Sequence, residues 1–204
     1  SRKNFLIYSI LAGVLIFCFG LYGHAKNGNL GQLSDKQSSL LSYYENTTPA
    51  WNYITREDIS SKFRFECDFY NLTKYRLGDV TNVPLSNISE TCYIKETEDS
   101  KAIFLWGDSH AQQLYYGLNK SLPEGYEILQ VASSSCQPKI GASMSRLDYC
   151  EHSNWLAYEK IKKVKPEIVI IAQRSGHDSY NMTKIAQTLN NAGVKRVIFT
   201  GPTP

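Results

Sequence analysis

Trp106-Gly107-Asp108-Ser109-His110-Ala111 is the segment of this chain whose residue types and spacing suit nucleophilic chemistry. A short apolar run, Ala102 to Leu105, precedes it, and a stretch of helical character, Gln112 to Leu118, follows. The pattern predicts a strand that ends, a turn at Gly107, and a serine at the entrance of a helix. The Ser109 hydroxyl would then be exposed at a strand end. Unpaired N–H groups at the helix N-terminus would stabilise the oxyanion formed when that hydroxyl attacks a carbonyl. Such a site performs acyl transfer through a serine ester. A plainer use of the same residues competes with this one: Asp108 or Ser109 can simply cap the helix.

The elements that must position Ser109 read clearly from Lys101 onward. Ala102 to Trp106, Tyr126 to Ala132, Ile168 to Ala172 and Val197 to Thr200 are short, mostly apolar strands. Helical stretches separate them at Ala111 to Leu122, Cys150 to Val164 and Asn181 to Asn191, the last followed by Gly193, where a C-cap is expected. Apolar strands alternating with helices predict an α/β fold: a parallel sheet covered by helices on both faces. In such sheets the active site lies beyond the carboxyl ends of the strands. Those ends are Gly107-Asp108-Ser109, Ser133-Ser134-Ser135, Gln173-Arg174-Ser175 and Gly201-Pro202-Thr203. Ser135, Arg174 and His177 are therefore candidates for oxyanion or substrate contacts. Arg174 suits a carboxylate or phosphate on a glycan, or a surface ion pair. His177 suits a substitute base or a substrate contact. His110 is a poor base for Ser109, because consecutive residues at a helix start point in different directions. His152 reads as structural, on a surface helix.

The rest of the chain is organised around these units. Phe5 to Tyr22 carries no charge over 18 residues, just enough for a helix to span a bilayer. Arg2 and Lys3 precede it, so the positive-inside rule places the N-terminus in the cytoplasm and residues after about 23 outside. A signal peptide with a weak cleavage site at Gly23-His24-Ala25 is the competing reading. Residues 24 to about 60 sustain no helix or strand period and read as a polar linker that docks through Tyr43, Tyr44 and Trp51. Residues 61–100 read as an irregular lead-in tied by disulfide. The expected organisation is a membrane helix over 1–23, a linker and lead-in over 24–100, and the α/β domain over 101–204.

Four cysteines, Cys67, Cys92, Cys136 and Cys150, lie outside the apolar segment, which itself holds Cys18. An even number in an exported region predicts two disulfides. Three pairings are open, of which Cys67–Cys92 with Cys136–Cys150 closes the shortest loops. No Cys-x-x-Cys and no histidine pair at ligand spacing is present, so no metal site is expected. The net charge of +3, spread along the chain, gives no reason to expect a nucleic-acid partner.

LWGDSHAQQLYYGL, with the apolar helix before it and the Ser-Ser-Cys-x-Pro loop after it, resembles the GDSL/SGNH hydrolase superfamily. The likeness is to its extracytoplasmic branch, fused to membrane acyltransferase-3 proteins that O-acetylate bacterial surface polysaccharides such as lipopolysaccharide O-antigen. The resemblance implies a three-layer α/β/α, flavodoxin-like fold preceded by one transmembrane helix of an acyltransferase domain in the same polypeptide. It implies a plasma-membrane location, with the domain on the periplasmic side and a glycan acceptor. It implies no cofactor bound by the domain itself, with acetyl-CoA as donor to the membrane part. Ser109 matches the nucleophile, and Asp108 the motif acid that supports the turn. The triad histidine and aspartate normally come from a late Asp-x-x-His, which occurs nowhere in these 204 residues. They are expected beyond Pro204, in which case this portion alone is inactive. The superfamily's Gly-x-Asn is replaced by Gln173-Arg174-Ser175-Gly176-His177-Asp178. A carbohydrate esterase and a non-catalytic glycan-binding domain on the same scaffold are the alternative functions.

Overall fold

Four apolar runs become four parallel strands: β1 (Lys101–Gly107), β2 (Tyr126–Ala132), β3 (Ile168–Ala172) and β4 (Arg196–Phe199). They lie side by side in the order β2-β1-β3-β4. This computed structural model describes residues 2–26, 34–46 and 48–201. Its contacts divide the chain into two units, residues 1–57 and 58–204.

Residues on β1 alternate between two buried faces. Ala102, Phe104 and Trp106 face one core, which also contains Leu129, Val131, Val169 and Ile171. Ala157 and Ile161 of α6 (Tyr149–Val164) cover it, with Ile185 and Leu189 of α7 (Ser179–Asn191). Ile103 and Leu105 face the other core with Ile128 and Ile170, against Leu114 and Leu118 of α5 (Ser109–Ser121). Burial on both faces explains why these strands are continuous apolar runs rather than alternating ones. The chain steps from β1 outward to β2, then returns past β1 to β3 and β4. A right-handed crossover rule accounts for α5 on one face and α6 and α7 on the other, because the direction of travel reverses. The result is the three-layer α/β/α arrangement that the sequence pattern predicts, with the reversal point between the carboxyl ends of β1 and β3.

Residues 58–100 contain 3-10 turns and one short helix, α4 (Leu72–Arg76). This segment is part of the domain's core: Cys67, Phe69, Ile88 and Cys92 are buried in the same cluster as Trp106 and Val131. Disulfides join Cys67 to Cys92 and Cys136 to Cys150. The second closes a loop of 14 residues, a constraint worth about 3 kcal/mol on the chain-entropy argument. His152 is buried on α6 rather than on a surface face: its ring lies 4.5 Å from that of Phe69, and its Nδ1 is 2.7 Å from the Ser145 carbonyl oxygen.

In the first unit, α1 (Arg2–Ala25) is exposed along its length and apolar enough to cross a membrane. The segment read as an irregular linker holds two helices instead, α2 (Asp35–Glu45) and α3 (Thr48–Arg56). A capping box starts α2: the Gln37 N–H donates to Ser34 Oγ, while the Ser34 N–H donates to Gln37 Oε1 at 3.0 Å. The first is too polar, and the second too short, to show a sustained apolar period. Trp51 and Tyr53 are exposed. The side chains of Tyr43 and Tyr44, and Pro202-Thr203 after β4, lie outside the described residues.

Gly107 is where the sheet admits no side chain. A Cβ there would stand 1.8 Å from the Ala172 carbonyl oxygen and 3.0 Å from the Ala111 Cβ. Gly117, on the exposed side of α5, has nothing within 4 Å. Two alanine substitutions on either side of Ser109 therefore have opposite expected signs. Gly107→Ala destabilises the domain by roughly 3 kcal/mol or more through overpacking. Gly117→Ala stabilises it by about 0.5–1 kcal/mol through helix propensity. Denaturant midpoints of the two variants check both.

Candidate active site

The strand ends come together because the sheet is in register at its carboxyl edge. Gly107 pairs with Ala132 on one side and with Ala172 on the other. Just past this row, the Ser133 N–H donates to the Gly107 carbonyl at 3.0 Å and the Asp108 N–H donates to the Ala172 carbonyl at 3.2 Å. Three loops, beginning at Asp108, Ser133 and Gln173, are thereby fixed to one another.

Asp108 is the N-cap of α5 and is buried. Its Oδ1 accepts from the His110 N–H at 2.8 Å, and the His110 Nδ1 lies 3.0 Å from the same oxygen. Its Oδ2 accepts from the Arg174 N–H at 2.8 Å. One carboxylate thus caps the helix, holds the His110 ring and ties the loop after β3 to the turn after β1. Asp108 does the capping, which leaves Ser109 at the first helical position with its hydroxyl free. Among the described residues the Ser109 hydroxyl has no hydrogen-bond partner. The N–H groups of Asp108, His110 and Ala111 all have acceptors, and that of Ser109 has none. The half-buried Ser109 therefore offers a free oxygen and a free donor at the reversal point between β1 and β3, the position where α/β sheets place ligands.

The other predicted residues fall around it. Ser135 is exposed in the loop after β2, in a left-handed conformation with φ 64°. Arg174 carries an exposed guanidinium with no ion-pair partner among the described residues, next to the N–H that binds Asp108. His177 is half-buried three residues further on, and its Nε2 has no hydrogen-bond partner. The Gln173 Nε2 donates to the Gly176 carbonyl at 2.8 Å, and the Gln137 Nε2 donates to Ser175 Oγ at 2.9 Å, which joins the β2 and β3 loops. Gln137 is itself anchored: its carbonyl accepts from Asn154 Nδ2 at 2.9 Å, and Asn154 Oδ1 accepts from Trp106 Nε1 at 2.9 Å.

One buried acid escaped the sequence reading. Asp68, in the lead-in, is fully buried and accepts from the Gln112 side chain and from Ser134. Burial raises its carboxyl above the ordinary value, and bonds from Ser134, Tyr70 and Gln112 oppose that rise. The Tyr149 hydroxyl donates to the Ser134 carbonyl at 3.1 Å; burial and, secondarily, the charge of Asp68 raise its pKa. An aspartate in an irregular, polar segment carries no sequence signal of such a position. Its only hint is that it directly follows Cys67.

The sequence model of the SGNH domain (fused to AT3 domains) matches residues 75–204. The chain belongs to this family of SGNH domains joined to membrane acyltransferases. Among solved structures, the periplasmic domain of the lipopolysaccharide acetyltransferase of Salmonella ser. Paratyphi A is similar at 21% identity and a TM-score of 0.48. The match covers 79% of this chain and 60% of that one. Comparison with curated proteins finds no significant match.

Asp108 and Ser109 separate support from reactivity. Asp108→Ala leaves the part-buried Arg174 and His110 N–H groups without an acceptor and removes a cap, for an expected loss of about 1–3 kcal/mol. Ser109→Ala removes a hydroxyl that bonds to nothing and is expected to stay within about 0.5 kcal/mol of wild type. Urea unfolding of both variants measures the contrast.

Proposed function

We propose that this domain transfers an acyl group, acetyl by family resemblance, to hydroxyls of a cell-surface polysaccharide through an ester on Ser109. The observation that carries this reading is the free hydroxyl and free N–H of Ser109, presented together on a turn that Asp108 locks from both sides. Membership in a family joined to membrane acyltransferases supports the choice of acyl chemistry.

Ser109 Oγ attacks the acyl carbonyl while its proton passes to a base. The Ser109 N–H stabilises the oxyanion, and the bond to the leaving group breaks as that group takes the proton. An acceptor hydroxyl then attacks the acyl-serine and gives its proton to the same base, which passes it to Ser109 Oγ as the acyl–Oγ bond breaks. The membrane acyltransferase part of the polypeptide would supply the acyl group from a donor such as acetyl-CoA. The α1 helix would hold the domain close to that supply on the outer side of the plasma membrane. The two disulfides suit that compartment. The exposed guanidinium of Arg174 would orient an anionic group on acceptor or donor. The second reading is a glycan-binding domain on the same scaffold, without chemistry of its own.

The complete polypeptide in its membrane separates the two readings. Ser109→Ala, compared with wild type at equal expression, is expected to reduce ester-linked acetyl on the surface polysaccharide by on the order of 10³-fold or more. Unchanged acetylation would sink the nucleophile reading and leave the binding one.

A further inference from the structure

Asp68 has no part in these steps, and it precedes the residues matched to the family. It is nonetheless the most heavily engaged side chain near the site. Its Oδ1 accepts from the Tyr70 N–H at 2.8 Å. Its Oδ2 accepts from Gln112 Nε2 at 2.9 Å, from Ser134 Oγ at 2.6 Å and from the Ser134 N–H at 3.1 Å. Gln112 stands one turn along α5 from Ser109, and it also donates to the Ala132 carbonyl at 2.7 Å. Ser134 lies in the loop that opens at Ser133, where Ser133 Oγ accepts from the Phe69 N–H at 3.0 Å. The lead-in thus grips both the start of α5 and the loop after β2. The disulfides bracket this grip: Cys67, bonded to Cys92, precedes Asp68, and Cys136, two residues past Ser134, is bonded to Cys150 beside Tyr149.

We propose that Asp68 is a positioning residue for the Ser109 reaction, fixing the first turn of α5 and the Ser133–Ser135 loop in a single arrangement. The inference rests on Ser109 being the nucleophile. Its physical basis is convergence: donors from three separate segments share one buried carboxylate. No neutral side chain of the same shape accepts all of them. An amide in its place must turn a donor toward either Tyr70 or the Gln112–Ser134 pair. The left-handed Ser135 then loses part of what holds it, because a non-glycine residue keeps that conformation only when its surroundings impose it. Displacement of a reacting group by about 1 Å is enough to cost about 100-fold in rate.

The test uses the complete polypeptide in its membrane and three variants: Asp68→Asn, Ser134→Ala and the two combined. A fluorophosphonate probe reports the capture rate of Ser109, and acetyl transfer reports kcat and KM. Thermal unfolding reports the folded fraction. Asp68→Asn is expected to slow capture per folded molecule about 10–100-fold, lowering kcat more than it raises KM. Ser134→Ala is expected to slow capture several-fold, and the double variant to be no slower than Asp68→Asn alone, the sign of a shared interaction. Capture at the wild-type rate by folded Asp68→Asn overturns the proposal. Should Asp68→Asn fail to fold, unaltered capture by Ser134→Ala overturns it equally. A wild-type protein that the probe does not label at Ser109 instead refutes the nucleophile reading, and the proposal falls with it.

Discussion

The Asp108 carboxylate holds the site together, because it solves two problems at one point. A helix that begins directly after a strand leaves N–H groups without acceptors. Two adjacent parallel strands that end together leave two loops free to diverge. Asp108 caps the helix with one oxygen and binds the Arg174 N–H with the other, so that the loop after β3 follows the turn after β1. The arrangement requires a close approach of backbone to backbone, which Gly107 permits because it has no Cβ to meet the Ala172 carbonyl. The loop after β3 is set beside Ser109 by this contact.

The lead-in changes what counts as the domain. By composition, residues 61–100 are an irregular approach to a regular fold. In the structure Phe69 and Ile88 share the core with Trp106 and Val131, and Asp68 joins the start of α5 to the loop after β2. A small sheet of four strands needs such cover, since helices α6 and α7 alone do not close that face. The cost is a buried charge, offset by four donors. The Cys67–Cys92 disulfide restrains the lead-in segment that carries this carboxylate.

These contrasts explain what was readable in the residues. IVIIA and YEILQVA announce themselves as strands because they are buried on both faces. The Gly-Asp-Ser turn is legible because strand end, turn and cap are consecutive in the chain. By the same reasoning Ser109, Ser135 and Arg174 could be gathered at one sheet edge from topology alone. The helices α2 and α3 were not legible, since α2 is polar along its eleven residues and α3, with nine, gives too few turns for a period to stand out. Asp68 was not legible for a different reason. Its role depends on partners 44 and 66 residues away, and no local pattern encodes a contact at that range.

Position and restraint together bear on the chemistry. A serine that merely capped a helix would spend its hydroxyl on a backbone N–H, as Ser34 does at the start of α2. Here the neighbouring aspartate does the capping and the serine is released from it. The fold therefore invests a buried carboxylate, an obligatory glycine and an anchored loop in keeping one hydroxyl and one N–H unengaged at the sheet's reversal point. A serine at position 108 would cap the helix but leave the Arg174 N–H without its acceptor, so the two-oxygen carboxylate serves the fold as well as the turn. The separation of the capping role from Ser109 is the feature that binding of a neutral glycan does not require and that attack on a carbonyl does.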